Sequence, residues 1–348
     1  MKKGSTESST GCRSKRKGIL VIAPNWIGDA VMATPFLVLL RKVFNEHTIT
    51  ILAKSYVSEI FRRNSSVDNL VETESVDPIV IVKILRNARP EAGWEYSFIL
   101  PTSFSSALKS FLSGARRRIG YSGEFRDILL TNVLHGFSSR SDHLSRYYIR
   151  LIETSTNESI GDIPLPVVIP PYEWGKEVSR LVGEGPYMIV APGAEFGNAK
   201  KWPIERFAEL AGKLSRDHHW RVVVIGSPKE RAMIENAFST IGVDWHNLAG
   251  MTDMGEMLSV IRGANFLVGN DSGPVHVSSA MGIPTVALFG STSPIWTLPR
   301  GPSVEVVYLG VECSPCFKKE CPRGEPICLT GIEVEDVYSV SSQLITGG

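Results

Sequence analysis

The sequence predicts an α/β protein made of two Rossmann-like domains, each built on a parallel sheet, that face each other across a cleft. Short apolar runs alternate with segments of helical spacing along most of the chain, which is typical of β-α units. In each half, a glycine and an acid stand where a predicted strand gives way to a helix: Gly28-Asp29, and Asp271-Ser272-Gly273. Ligands of open α/β sheets bind at such junctions. A pair of them therefore predicts one site shared by two domains.

Length and composition narrow the class of protein. The chain has 348 residues, of which 43% are hydrophobic and 21% charged, as expected of a globular protein with two domains. Lys and Arg total 37 against 36 acids, so no overall basic field favours nucleic acid as a partner. No apolar run approaches the roughly 20 residues of a membrane span. We expect no signal peptide and a cytoplasmic location.

The first predicted domain covers residues 18–165, after a polar stretch, 1–17, that we expect to be a disordered extension. Residues 18–23 form an apolar run rich in β-branched side chains, which predicts a buried parallel strand. Apolar residues then recur at helical spacing over 28–44. The alternation continues with strands predicted at 48–53 and 96–100, and with a helix at 105–112.

A proline-rich connection separates the halves. Four prolines lie within residues 162–174, a density that predicts an extended linker, and we place the second domain at 166–348. There the alternation resumes, with strands predicted at 187–191, 222–225, 266–268 and 285–289. A helix is predicted at 203–215, with Pro203 in its first turn. The order of elements does not reveal the order of strands in either sheet.

Asp29 is the candidate catalytic residue of the first half. Gly28 permits a close backbone approach, and Asp29 follows at the start of a helix, where the dipole favours a charged carboxylate. Facing the cleft, this carboxylate could act as a general base. An acid that only stabilises its own helix is an equally good interpretation of the spacing.

Lys200 and Glu230 are candidate ligand-binding residues of the second half. Lys200 and Lys201 follow a glycine turn and precede a helix, where free backbone N–H groups and the dipole attract phosphate. The alternative is a pair of solvated lysines. Glu230 ends another strand-to-helix loop and could accept hydrogen bonds from ribose hydroxyls. As an acid in a first helical turn, it could instead serve the helix alone.

The turn Asp271-Ser272-Gly273, with His276 beyond it, is the most specific motif of the second half. Ser272, Gly273 and the following helix offer N–H donors to a pyrophosphate. Asp271 would then bind sugar hydroxyls, because a carboxylate avoids phosphates. His276 either contacts a ligand or is a histidine whose hydrogen bonds are satisfied within the core.

Four arginines of the first half are candidates for binding an anionic acceptor: Arg116, Arg117, Arg118 and Arg126. Guanidinium groups bind carboxylates and phosphates in bidentate fashion. A solvated basic face is the alternative interpretation.

Four clustered cysteines form a separate signal: Cys313, Cys316, Cys321 and Cys328. The first spacing, with two intervening residues, suits structural zinc, but the later spacings are less usual. Disulfides and unpaired loop cysteines remain alternatives. No histidine joins the cluster, which argues against a catalytic metal.

Three segments together resemble the lipopolysaccharide heptosyltransferases. They are NWIGDAVMATP at residues 25–35, APGAEFGNAKKWP at 191–203 and GNDSGPVH at 269–276. The likeness runs from about residue 18 to the C-terminus and includes residues 120–126 and the cysteine-rich tail. It implies a GT-B fold, which consists of two Rossmann-like domains with the site between them.

The resemblance also implies a reaction and its partners. Heptose would pass with inversion from ADP-L-glycero-D-manno-heptose to the first heptose of the lipopolysaccharide inner core, on a Kdo–lipid A acceptor. No cofactor is implied, and no DxD-like metal motif lies near the donor segment. Because the acceptor is a lipid, we expect a peripheral contact with the inner face of the inner membrane.

Site residues follow from the resemblance position by position. Asp29 matches the family's proposed catalytic base, and Lys200 matches the lysine that contacts the donor diphosphate. Asp271 matches the acid that holds the donor heptose, with Ser272 and Gly273 beside the phosphates. Glu230 corresponds to the nucleoside-binding acid, although its loop aligns poorly.

Other functions compete with this interpretation. A heptosyltransferase with a different acceptor would share the donor motifs, because loops of the first domain select the acceptor. A non-catalytic nucleotide-sugar-binding protein would not need Asp29 and Lys200 together. A dinucleotide oxidoreductase is disfavoured, since no G-x-G-x-x-G follows the first strand. A zinc-dependent scaffold would depend on the cysteines rather than on the cleft.

Overall fold

The computed structural model describes residues 16–347, so most of the predicted N-terminal extension, 1–17, lies outside the described residues. Within that range, the strands are β1 (Gly18–Ile22), β2 (Thr48–Ala53), β3 (Asn69–Glu72), β4 (Trp94–Ile99), β5 (Arg117–Tyr121), β6 (Asn132–Leu134), β7 (Tyr187–Ala191), β8 (Arg221–Val224), β9 (Trp245–Asn247), β10 (Phe266–Asn270), β11 (Thr285–Phe289) and β12 (Val304–Tyr308).

The helices of the described range alternate with these strands. They are α1 (Ile27–Val43), α2 (Ser55–Arg62), α3 (Pro78–Asn87), α4 (Phe104–Leu112), α5 (Leu144–Thr156), α6 (Trp174–Leu181), α7 (Ile204–His218), α8 (Arg231–Phe238), α9 (Met254–Gly263), α10 (Gly273–Ala280), α11 (Pro294–Thr297), α12 (Ile327–Thr330) and α13 (Val334–Thr346). The predicted alternation of strands and helices is confirmed in both halves.

Each half contains a six-stranded parallel sheet, and the two sheets share one topology. The orders are β3-β2-β1-β4-β5-β6 and β12-β11-β10-β7-β8-β9. In both, the first and fourth strands of the half are neighbours, and the chain then winds outwards in opposite directions. Such a switch point opens a crevice at the carboxyl ends of the strands. The predicted pair of Rossmann-like sheets in a GT-B arrangement is confirmed.

The central strands are buried because their apolar runs face helices on both sides of a parallel sheet. Every residue of β1, β7, β10 and β11 is buried. The start of α7 differs by one residue from the prediction. Pro203 has ψ 130° and precedes the helix as its N-cap, because this extended backbone cannot belong to a helical turn.

The two halves are packed against each other. One hydrophobic cluster runs through both, from Ile19 in β1 to Val275 in α10 and Phe289 in β11. Between α5 and α6 the chain forms no helix or strand, as the proline-rich linker predicts. Val167 N donates to Thr34 Oγ1 at 2.9 Å, which ties this linker to α1. The exact boundary at residues 165–166 stays a prediction.

Candidate active site

Asp29 lies in the first turn of α1, directly beyond the carboxyl end of β1. Within residues 16–347, its partly buried carboxylate forms no hydrogen bond or ion pair. Burial raises the pKa of Asp29 to about 6, with a further increase from Asp271, while His276 and Lys200 oppose the change. The carboxylate is therefore available to accept a proton near neutral pH.

The N-termini of α1 and α10 meet across the cleft. A Cβ atom at Gly28 would lie 2.8 Å from Cδ2 of His276, and a Cβ atom at Gly273 would lie 2.8 Å from Cβ of Ile27. Only glycine permits this approach at either position. The two predicted glycine turns thus form one site, with the positive ends of both helix dipoles directed towards it.

Asp271 is held by three side chains at the end of β10. Its Oδ2 lies 2.6 Å from Lys200 Nζ and accepts a hydrogen bond from Thr292 Oγ1 at 2.6 Å. Its Oδ1 lies 3.5 Å from Nε2 of His276. Burial favours the neutral acid, but Lys200 and His276 outweigh it and hold the pKa of Asp271 well below its usual range. Asp271 is therefore ionised at any physiological pH.

Three polar atoms beside this network have no hydrogen-bond partner among the described residues. They are Oγ of Ser272, Oγ of Ser291 and Nδ1 of His276, and all three are buried. Buried polar atoms are normally paired. Their position beside the α10 N-terminus makes them candidates for contacts to a polar ligand.

Lys200 is positioned by a loop that the cysteine-rich tail supports. Ala199 N donates to the carbonyl of Lys319 at 3.0 Å. Gly197 has φ 152°, and a Cβ atom there would overlap the same carbonyl oxygen. The lysine ammonium also lies 5.4 Å from the centre of the Phe196 ring. These contacts direct Lys200 towards Asp271 rather than into solvent.

Glu230 lies beside the glycine turn after β7. A Cβ atom at Gly193 would come within 2.6 Å of its Oε2. Glu230 accepts hydrogen bonds from N and Oγ of Ser227, both at 2.9 Å, and from Lys201 Nζ at 3.2 Å. Burial would raise the pKa of Glu230, but these hydrogen bonds outweigh burial and lower it. Glu230 therefore both caps its own turn and borders the site, and its nucleoside role stays a prediction.

The structure does not bring Arg116, Arg117 and Arg118 to Asp29. They lie at the amino end of β5, whereas Asp29 follows the carboxyl end of the parallel strand β1. Arg117 donates to Tyr96 OH at 3.1 Å, and Arg118 donates to the carbonyl of Leu129 at 2.7 Å. The alternative of a basic face away from the cleft describes their position better.

Arg126 differs from the other predicted arginines because it is fully buried. Its Nη1 donates to the carbonyls of Pro101, at 2.5 Å, and Ser103, at 3.2 Å. Burial lowers the pKa of Arg126 to about 10. The side chain thus joins the loop between β5 and β6 to the loop after β4, and its acceptor role stays a prediction.

The four cysteines of the tail form no disulfide within the described part of the chain. No three or more His, Cys, Asp or Glu side chains in residues 16–347 are arranged to hold a metal ion. Cys328 is buried in α12, and Cys321 Sγ donates to the carbonyl of Glu325 at 3.1 Å. Of the three alternatives, unpaired cysteines match this arrangement.

Sequence reasoning missed several residues that complete the site. Thr292 and Ser291 follow β11, and the rule that ligands meet the carboxyl ends of strands could have found them.

Asn270 was also missed. Its side chain accepts from Trp202 N at 3.0 Å and donates to the carbonyl of Pro192 at 2.7 Å, which joins the two donor-side loops. Tyr56, whose hydroxyl donates to the carbonyl of Asn25, borders Asp29 from α2.

None of the helices described in residues 16–347 combines the length and apolar character that crossing a bilayer requires.

Comparison with known proteins identifies the family of this chain. Residues 89–326 match the model of glycosyltransferase family 9 (heptosyltransferase). The chain is 29% identical to lipopolysaccharide heptosyltransferase 2 of Escherichia coli (strain K12), over 84% of this chain and 88% of that protein. It is 28% identical to lipopolysaccharide heptosyltransferase 2 of Salmonella typhimurium, over 93% of this chain and 99% of that protein.

A solved structure of E. coli ADP-heptose lps heptosyltransferase II superposes with a TM-score of 0.81 at 27% identity, covering 95% of this chain and 99% of that one. A family 9 glycosyltransferase from Veillonella parvula has the same fold, with a TM-score of 0.81 at 22% identity, covering 96% and 98% of the two chains. Since the family model spans more than half of the sequence, the chain belongs to glycosyltransferase family 9, the heptosyltransferase family.

Proposed function

We propose that this enzyme transfers L-glycero-D-manno-heptose from ADP-heptose to the first heptose of the lipopolysaccharide inner core, with inversion at the anomeric carbon. The observation that carries the proposal is the position of Asp29. Its carboxylate, which has no hydrogen-bond or ion-pair partner in the described part of the chain and a pKa raised to about 6, lies where the two halves meet, beside Lys200 and Asp271. The names of the relatives support the donor and the class of acceptor.

A single displacement accounts for these residues. An acceptor hydroxyl attacks the anomeric carbon, the bond from that carbon to the diphosphate oxygen breaks, and its electron pair leaves with ADP. The hydroxyl proton passes to Asp29. Because Asp29 belongs to the first half, the acceptor would enter from that side, opposite the departing ADP. Attack from the face opposite the leaving group gives inversion.

Charge that develops on ADP is stabilised by the second half. Lys200 Nζ supplies a full positive charge, and the N-terminus of α10 adds the free N–H groups of its first turn. Ser272 Oγ, which has no partner among the described residues, is placed to donate to a phosphate oxygen. Asp271 would accept hydrogen bonds from heptose hydroxyls and hold Lys200 in place.

The acceptor and its setting are also part of the proposal. A heptosyl-Kdo-lipid A acceptor is anchored in a bilayer, so the enzyme would work in peripheral contact with the inner face of the inner membrane. A family member with another acceptor would have the same donor side. The first domain must therefore distinguish the acceptors.

The test is acceptor-dependent release of ADP from ADP-heptose. Asp29→Asn should lower this release by a factor of about 100 or more while donor binding persists. Asp217→Asn is the matched control, because Asp217 is an exposed acid of α7 that accepts a hydrogen bond from Tyr338. Full activity of Asp29→Asn would remove Asp29 as the base. Release with a different acceptor only would correct the acceptor.

A further inference from the structure

The first half exposes large apolar side chains on neighbouring elements. Phe125 is 96% exposed and Ile128 84% exposed in the loop after β5, and Ile79 of α3 is 80% exposed. Phe104 and Phe111 of α4 are also exposed. Helix α4 packs beside both α3 and the turn that holds Ile128, so the elements that carry these five side chains are neighbours. We refer to the five side chains together as the docking face. Several large exposed apolar side chains on neighbouring elements are typical of an interaction surface.

The loop that carries Phe125 is firmly held. Glu124 and Phe125 have φ values of 45° and 57°, in the left-handed region that residues other than glycine rarely adopt. Glu124 accepts a hydrogen bond from Phe104 N at 2.7 Å, and the buried guanidinium of Arg126 donates to the carbonyl of Pro101. The left-handed backbone thus holds Phe125 outwards, where its side chain is almost fully exposed among residues 16–347.

Part of the docking face lies at the edge of the first sheet where the carboxyl ends of the strands and Asp29 lie. Phe104 follows the carboxyl end of β4, and Phe125 follows the carboxyl end of β5. Asp29 follows the carboxyl end of β1, which is hydrogen-bonded to β4 in a parallel register. Whatever the docking face rests on is therefore close to the side from which the acceptor must reach Asp29.

The charge around the docking face favours an anionic partner. Residues 76–130 contain eight Lys and Arg and five Asp and Glu. Lys83 and Arg86 are exposed on α3, and the guanidinium of Arg118 lies 5.4 Å from the centre of the Phe111 ring. The acids of the loop are engaged locally, with Glu124 bound to Phe104 N and Asp127 bound to Ser122 Oγ.

We propose that the docking face rests on an anionic phospholipid bilayer, with Phe125 and Ile128 inserted below the headgroups and the exposed Lys83 and Arg86 near lipid phosphates. Apolar side chains flanked by basic ones bind such surfaces in two ways: apolar area is buried below the headgroups, and the basic groups are attracted to anionic lipids. This proposal rests on the proposed function in one respect: the lipid-anchored acceptor is the reason why the enzyme would meet a bilayer.

Vesicle flotation without donor or acceptor tests this directly, so the result does not depend on transferase activity. The whole chain should float with phosphatidylethanolamine–phosphatidylglycerol vesicles and much less with phosphatidylcholine vesicles. The variant Phe125→Ser/Ile128→Ser should bind the anionic vesicles about tenfold or more weakly, because two large apolar side chains no longer leave water. Phe125→Trp should retain binding.

Tyr172→Ser is the matched control, since Tyr172 is 93% exposed in the linker, outside the docking face. It should float as the unchanged chain does. Calorimetric binding of ADP-heptose by the double variant checks that it is folded. The proposal is overturned if the unchanged chain stays out of anionic vesicles, or if the double variant floats equally well. It is likewise wrong if light scattering shows a dimer that only the double variant loses, because the face would then join two copies of this chain.

Discussion

His276 of α10 lies directly against the backbone of Gly28 in α1, at the point where the two halves of the enzyme meet. A Cβ atom at Gly28 would come within 2.8 Å of the imidazole ring. Because Gly28 has no Cβ atom, the first turn of α1 can lie this close to the imidazole ring. This close approach sets the position of Asp29, the next residue. The N-termini of α1 and α10 could not approach as closely if residue 28 carried a side chain.

Gly28→Ala should separate the helix tips and slow transfer by at least about tenfold. The cause is overpacking against His276, which costs about 1–3 kcal/mol at a tight contact and displaces Asp29 from the acceptor. Initial rates with saturating donor measure the effect. Gly161→Ala is the control, because a Cβ atom there would meet nothing within 4 Å. Equal rates for both variants would show that the contact does not matter for catalysis.

The pH dependence of the reaction should report Asp29. With a pKa of about 6, the base is ionised above that value and protonated below it. We expect kcat/KM to fall about tenfold per pH unit below pH 6. Donor binding should not follow this decline, since Asp271 stays ionised throughout. A flat profile down to pH 4.5 would contradict the assignment of Asp29 as the base.

Asp29→Asn should stabilise the protein at neutral pH even as it lowers the rate of transfer by a factor of about 100 or more. The folded state raises the pKa of Asp29 from 3.8 to about 6, so folding is opposed by ionisation once the pH exceeds 3.8. This loss of stability grows as the pH rises from about 4 to 6 and is complete above 6. We expect a gain of roughly 1–3 kcal/mol in the free energy of unfolding at pH 8, shrinking towards zero near pH 4.

Urea unfolding of Asp29→Asn at pH 8 and pH 4 measures that gain. The Asp217→Asn variant serves again as the control, with little change expected at either pH. A variant that is less stable at pH 8 than the unchanged enzyme would mean that the carboxylate has a favourable partner.

Lys200→Met should lower both activity and stability, because Asp271 would lose its closest cation while remaining buried. Breaking a buried ion pair in this way costs about 3–5 kcal/mol. Adding Asp271→Asn should recover much of the stability without recovering activity, and denaturant unfolding with ADP release separates the two effects. Lys201→Met is the comparison, since Lys201 pairs with the less buried Glu230. Activity that returns in the double variant would argue against a role for Lys200 in stabilising ADP.

Chelation by EDTA should leave the rate unchanged. Positive charge for the leaving ADP is already available from Lys200 and the α10 N-terminus, and the Asp271 carboxylate is engaged by Lys200 and Thr292. ADP release before and after dialysis against EDTA measures this. A rate that falls with EDTA and returns with Mg²⁺ would mean that a metal ion, rather than Lys200 and α10 alone, stabilises the charge of the leaving diphosphate.

Much of the fold and the core of the site were accessible from sequence. Apolar runs alternating with helical spacing predict parallel sheets, and the turns at Gly28 and Gly273 mark where the strands end. Because ligands collect at carboxyl ends of parallel strands, local sequence was enough to select Asp29, Lys200 and Asp271 for one cleft. Their individual roles in transfer stay predictions.

Other features depended on contacts between residues far apart in the chain. The sequence by itself determined the α/β class and the candidate turns, because period and turn chemistry are local properties. Only the tertiary structure decided that Lys200 pairs with Asp271, that Arg116 to Arg118 lie at the opposite edge of the sheet, and that Arg126 is buried. A run of charge in the sequence carries no information about which edge of a sheet it will occupy until strand order and direction are fixed.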